Sequence, residues 1–194
     1  MYSIDSDRIR QAKVTQILII LNVVCFIAFN PYYSQEIWLY LVQYNESVWQ
    51  GEVWRLLTSI FMHFDIGHIF YNMLGLLLFG TTVESYFNRK EYIATYLISG
   101  LVGSIFSLLL NQPAVLSAGA SGAIYGLMGA AFVILARQNQ FIFIYGLIYI
   151  GIAVANSFAP GIGTWAHIFG LAMGLLFGYL WVRKMRQIRQ VHNY

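Results

Sequence analysis

An all-α membrane protein with six transmembrane helices is the fold class this sequence predicts, and three observations carry it. Of 194 residues, 59% are hydrophobic and only 10% are charged, where soluble domains carry about a quarter. The apolar residues fall in long blocks rather than in a period-two or narrow helical stripe, and blocks of about 18 or more read as membrane spans. The positive charge is also placed asymmetrically. Arg8, Arg10 and Lys13 precede the first block, Arg89 and Lys90 separate the second from the third, and Arg137 separates the fourth from the fifth. Arg183, Lys184, Arg186 and Arg189 follow the sixth, and only Arg55 falls on the opposite side. That is the positive-inside pattern of a multi-pass protein with both termini cytoplasmic, and the plasma membrane is the expected location.

Each element follows in order. Residues 1–13 form a polar cytoplasmic segment. Val14–Asn30 is the first span and Pro31 stops it. Residues 31–65 make a long outer connection, rich in aromatics such as Tyr32, Tyr33, Trp38, Tyr40, Tyr44, Trp49 and Trp54. Such side chains favour the headgroup level, so the connection is expected to be partly helical and half-immersed, with Glu36, Glu46 and Glu52 facing water and Trp54-Arg55 anchoring it. Ile66–Val83 is the second span, N-capped by Asp65, and Glu91–Leu110 is the third. Gly119–Ala136 is the fourth, rich in glycine and central. Phe141–Phe158 is the fifth, Thr164–Val182 the sixth, and 183–194 a basic tail. The domain read from this is one six-span unit over 14–182.

Several function classes drop out. The basic tail is a topology signal, so no nucleic-acid partner is expected; the partner of most of the chain is the lipid bilayer. Cys25 is the single cysteine, which leaves no intrachain disulfide framework and no cysteine zinc cluster. His63 and His68 are five apart, which does not align them on a helix, and no acidic cluster completes a metal set. No inverted repeat or paired broken helices point to a transporter.

Polar groups inside spans are costly and mark function. Ser121 opens the fourth span between Gly119 and Gly122, where first-turn N–H groups and the positive dipole end favour an oxyanion. His167 lies on the sixth span ahead of Gly170, Gly174 and Gly178, which repeat every fourth residue and form a smooth ridge. That ridge can seat against Gly122, Gly126 and Gly129. Serine and histidine on two closely approaching helices make a nucleophile with its base. His68 and Asn72 share one helix face at i, i+4; with the Ser121 N–H they can form an oxyanion hole, or they can serve as interhelical hydrogen-bonding groups. Tyr125, one turn after Ser121, can pack on the His167 ring. No acidic third member accompanies the pair, since the spans supply only Glu84 and Glu91, both at inner ends.

With Trp54-Arg55, His68-Ile69-Phe70-Tyr71-Asn72, Gly119-Ala120-Ser121-Gly122 and Ala166-His167 followed by Gly170 and Gly174, the chain resembles the rhomboid intramembrane serine proteases in their minimal six-span form. The resemblance covers all six spans. It implies a rhomboid-like helical bundle around a water-filled cavity, with Ser121 as nucleophile and His167 as base and then acid. It implies oxyanion donation by His68, Asn72 and the Ser121 N–H, and Tyr125 stacked on the histidine. It implies gating by the fifth span and the loop after it, single-span membrane proteins as substrates, and no metal or cofactor. A catalytically silent, client-binding relative is the main alternative; such relatives typically lack the serine or the histidine. A membrane esterase with the same pair is another.

Overall fold

The computed structural model describes residues 6–191. The first five residues of the polar segment and the last three of the basic tail lie outside the described residues. A short helix α1 (Ser6–Gln11) leads into α2 (Lys13–Ala28), the first apolar helix. The connection that follows is folded rather than loose. It contains α3 (Gln35–Leu41), the two-residue strand β1 (Gln43–Tyr44), α4 (Asn45–Trp49), α5 (Arg55–Thr58) and a 3-10 turn at Ser59–Phe61. The second apolar helix is α6 (Ile66–Gly75), which passes through one π-helical stretch at Leu76–Gly80 into α7 (Thr81–Glu84). Then come α8 (Arg89–Leu110), β2 (Leu116–Ser117), α9 (Ser121–Leu135), α10 (Gln140–Asn156) and α11 (Thr164–Val191).

The helix starts are where the short polar side chains put them. The Asp65 carboxylate accepts from the His68 N–H at 2.8 Å. Asn88 and Glu91 close a reciprocal capping box on α8, and Asn139 caps α10. The fourth helix begins two residues later than the apolar block suggests, because Gly119 sits at φ 124°, outside helical space. The sixth runs past Val182 to Val191: the added residues are polar but include good helix formers, and hydropathy marks only the part that lipid can cover.

Among the described residues, three helices are long and apolar enough to cross a membrane, Ile66–Glu84, Arg89–Leu110 and Thr164–Lys184; Lys13–Ala28, Ser121–Leu135 and Gln140–Asn156 are shorter apolar helices. Helix α9 is the hub. Ten of its residues are buried, and it packs chiefly on α11 and α8. Glycine sets the α9–α11 distance. A methyl placed on Gly170 would lie 2.1 Å from the Gly122 carbonyl oxygen, and one on Gly174 1.8 Å from that of Gly126. The expected glycine ridge is therefore present, with one difference: Gly178 meets Ala130, while Gly129 faces the α11 backbone from Leu171 to Leu175. In contrast, α10 buries none of its residues.

Long-range polar contacts hold the connection between α2 and α6 onto the bundle. β1 pairs antiparallel with β2, Gln43 opposite Ser117 and Tyr44 opposite Leu116. The Gln43 amide donates to the Ser104 carbonyl at 3.1 Å and Asn45 to that of Gln112 at 3.1 Å. Trp38 is only 5% exposed and packs with Val42 and Met62, so it belongs to the interior of this segment and not to an aromatic belt; Tyr32, Tyr33 and Trp49 do face outward. Arg55 is the anchor. It donates to the carbonyls of Val42 (2.8 Å) and Leu39 and pairs with Glu52. Glu52 is thus engaged, while Glu36 and Glu46 are exposed. Removing a buried charged donor strands its acceptors. Arg55→Ala is expected to destabilise the protein by about 2–3 kcal/mol in a detergent melt, and Arg55→Lys to recover only part of that, lacking the fork.

At the opposite end of the bundle, Glu84 accepts from the Val14 and Thr15 N–H groups (2.8 Å each) and the Thr15 hydroxyl (2.7 Å). A carboxylate at a helix start satisfies orphan donors and complements the dipole, so Glu84 fastens α2 to the second span.

Candidate active site

Ser121 is the first residue of α9 and His167 lies in the first turn of α11. The glycine seam draws these two helix starts together, and His167 Nε2 lies 2.8 Å from Ser121 Oγ. The Tyr125 ring covers the imidazole, centroids 4.1 Å apart and 13° from parallel, as its position one turn on predicts. Gly122 has the Ala166 carbonyl against it, and Gly170 the Gly122 carbonyl; a side chain at either would wedge Ser121 away from His167.

The other ring nitrogen holds something the sequence does not signal. His167 Nδ1 lies 2.9 Å from the hydroxyl of Ser157, the residue that ends α10. Ser157 is buried, 1% exposed, and contacts the Ala153 carbonyl (2.9 Å) and the Tyr125 hydroxyl (3.1 Å). Tyr125 in turn donates to Ala153 at 2.9 Å. A serine at the end of an apolar block carries no periodic or spacing signal, and only the fold brings it to the histidine.

His68 and Asn72 come from α6. Asn72 is buried and spends one amide hydrogen on the His68 carbonyl at 2.8 Å, leaving the second. It shares the wall of a cleft of about 220 Å³ with Ser121, Tyr125, Tyr149 and Ala153. His68 Nδ1 accepts from the Phe64 N–H at 3.4 Å. In the neutral ring that leaves the proton on Nε2, and Nε2 abuts Gly119, where an added Cβ would stand 2.7 Å away. Gly119 is therefore required twice, for its positive φ and for the space that the histidine takes. Its own N–H donates to the Ser59 carbonyl at 2.9 Å. The Ser121 N–H lies in the first turn of α9, where helix geometry supplies no internal acceptor.

His63 precedes α6, so helical spacing does not govern its relation to His68; the two rings meet edge to face at 5.1 Å. Burial, with the neighbouring His68 adding to it, pulls the His63 pKa down to about 3. Folded protein therefore leaves this ring neutral where the unfolded chain, titrating near 6.5, takes up a proton. Stability is complete above about pH 6.5 and falls as the pH drops from there toward 3, by at most about 1.4 kcal/mol per unit. Melting temperatures across pH 7 to 4 should show that slope, and His63→Gln should flatten it.

The sequence pattern of the Rhomboid domain matches residues 50–184, a stretch that holds every residue of this site. The chain belongs to the rhomboid family. Relatives of this rhomboid include YdcA of Bacillus subtilis, 32% identical over 185 residues that cover 91% of this chain and 92% of YdcA. The rhomboid protease GluP of the same organism is 39% identical over 135 residues, 67% of this chain and 26% of GluP. RHOMBOID-like protein 1 of Arabidopsis thaliana is 37% identical over 141 residues, 70% of this chain and 36% of the plant protein. The rhomboid thus spans nearly all of YdcA but about a third or less of the other two. It is an all-α integral membrane protein of rhomboid type.

Proposed function

We propose that this rhomboid is an intramembrane serine endopeptidase and that Ser121 and His167 are its catalytic residues. The single observation that supports this most is the 2.8 Å contact between His167 Nε2 and Ser121 Oγ, made at a helix start beside a cleft. His167 Nε2 takes the hydroxyl proton as Ser121 Oγ attacks the scissile carbonyl carbon. The carbonyl π electrons move to oxygen, and the Ser121 N–H, His68 Nε2–H and the free Asn72 amide hydrogen stabilise that oxyanion. As the tetrahedral intermediate collapses, the C–N bond breaks and His167 returns its proton to the leaving amine. Water, deprotonated by the same Nε2, then attacks the ester carbon; the C–Oγ bond breaks and Nε2 returns the proton to Ser121 Oγ, which frees the serine and the neutral imidazole. No cofactor or metal takes part.

Substrates are single-span membrane proteins, and the cleft between α6 and α10 gives a segment leaving lipid a way to Ser121. The site faces the outer side of the membrane and both termini are cytoplasmic, as the charge asymmetry indicates. Helix α10, with no buried residue of its own, is the element able to swing aside about its end at Ser157, which the Thr164 hydroxyl holds to α11.

The test is covalent labelling by a fluorophosphonate in detergent. Wild type should label, and Ser121→Ala and His167→Ala should not. A folded wild type that stays unlabelled would transfer the reading to client binding without cleavage.

A further inference from the structure

We propose that Ser157 is a positioning residue: its hydroxyl accepts the His167 Nδ1–H and so holds the imidazole in the tautomer whose Nε2 can take the Ser121 proton. The inference rests on the hydrolase reading above and adds a member to it. Hydroxyl protons decide the matter. Ser157 Oγ has two neighbours besides His167, the Ala153 carbonyl at 2.9 Å and the Tyr125 hydroxyl at 3.1 Å. Ala153 is four residues back on α10, the usual acceptor for a helical serine. The Tyr125 hydroxyl reaches the same carbonyl at 2.9 Å; its two lone pairs serve the two hydroxyls, because the third donor near it, the Ser157 N–H at 3.2 Å, lies closer to the Val154 carbonyl at 3.0 Å. With both hydroxyl protons on Ala153, the Ser157 oxygen keeps its lone pairs for the ring N–H at 2.9 Å.

The reverse order, Tyr125 to Ser157 to Nδ1, would put the ring proton on Nε2, aimed at Ser121 Oγ, and a protonated Nε2 takes no proton. When the ring becomes doubly protonated in the reaction, only the first order still has an acceptor at Nδ1. Both described hydrogen bonds of the His167 ring go to hydroxyls, so Ser157 occupies the place that a carboxylate fills in three-membered hydrolase sites. It is fixed for that task. Its carbonyl accepts from the Thr164 hydroxyl at 2.6 Å, tying the end of α10 to the start of α11, and at 1% exposure water has no access to replace it.

Two readouts test this on full-length protein in detergent. In imidazole-15N NMR, with His167 assigned by its absence in His167→Asn, wild type should show one neutral tautomer, Nδ1–H. Ser157→Ala should show a mixture, and Ser157→Thr should restore the single form. The rate of fluorophosphonate labelling should fall ten- to hundredfold in Ser157→Ala, the scale expected for a hydrogen bond to a group that becomes charged. In Ser157→Thr it should stay within about threefold of wild type. Melting temperatures near wild type would show that both variants fold. A Ser157→Ala protein with wild-type rate and a single Nδ1–H tautomer overturns the positioning role and leaves the hydrolase reading standing. An unlabelled wild type whose tautomer still becomes mixed in Ser157→Ala removes the hydrolase reading and leaves the tautomer lock.

Discussion

Gly174→Ala is expected to lower the melting transition more than any other single-methyl addition in this protein. The added carbon would stand 1.8 Å from the Gly126 carbonyl oxygen and 2.5 Å from its carbon. Neither is a flexible side-chain end; both are backbone of the central helix α9. Relief requires α9 and α11 to separate along the seam from Gly122–Gly170 to Ala130–Gly178, which gives up close packing that nothing else in a membrane replaces. Overpacking a core with movable side chains costs about 1–3 kcal/mol; here nothing can move except whole helices, so about 3 kcal/mol or more is expected. The control is Gly151→Ala on α10, where nothing lies within 4 Å. It should be neutral, or stabilising by up to about 1 kcal/mol through helix propensity. Equal melts for the two variants would sink the account of the seam as a backbone contact.

The second large effect is catalytic and follows from the proposed chemistry. Ser121→Ala should lower kcat on a single-span substrate reconstituted in lipid by about 10⁴-fold or more, and His167→Ala should do nearly the same. The double variant should be no worse than either single one, because a nucleophile and its base act as one unit. KM should move little, since neither group contributes much to holding the substrate before attack. Additive losses would mean that the two side chains contribute independently, and the 2.8 Å contact would then be structural.

Much of this architecture was legible in advance for plain reasons. Apolar blocks mark spans because lipid selects them, and Asp65 signals a helix start because an orphan N–H needs its carboxylate. The glycine ridge on α11 was readable from its four-residue period. What was not legible depends on contacts between segments far apart in the chain. Gln43 and Asn45 look like ordinary loop residues until Ser104 and Gln112 are brought beneath them. Trp38 has the composition of a membrane-belt residue but packs inward on Val42 and Met62. The apolar block places the start of α9 two residues early because glycine and alanine continue such a block equally well inside or outside a helix; only the φ of Gly119 separates the cases. Ser157 was invisible for a similar reason. Its value lies entirely in a ring nitrogen ten residues away, across a turn whose course no local pattern announces.

The short apolar helices also matter to the surrounding lipid. At 1.5 Å per residue, the 16 residues of α2 and the 17 of α10 make helices only about 24 and 26 Å long, against about 30 Å of hydrocarbon in a typical bilayer. The 22-residue α8 reaches about 33 Å. An annulus that meets helices of unequal length cannot keep one thickness around the protein. It is compressed where the short helices stand, and α10 borders the cleft beside Ser121. On the proposed reading of the site, hydrophobic mismatch would bring the headgroup layer, with its water, closer to the depth of the serine on the flank from which a substrate would come.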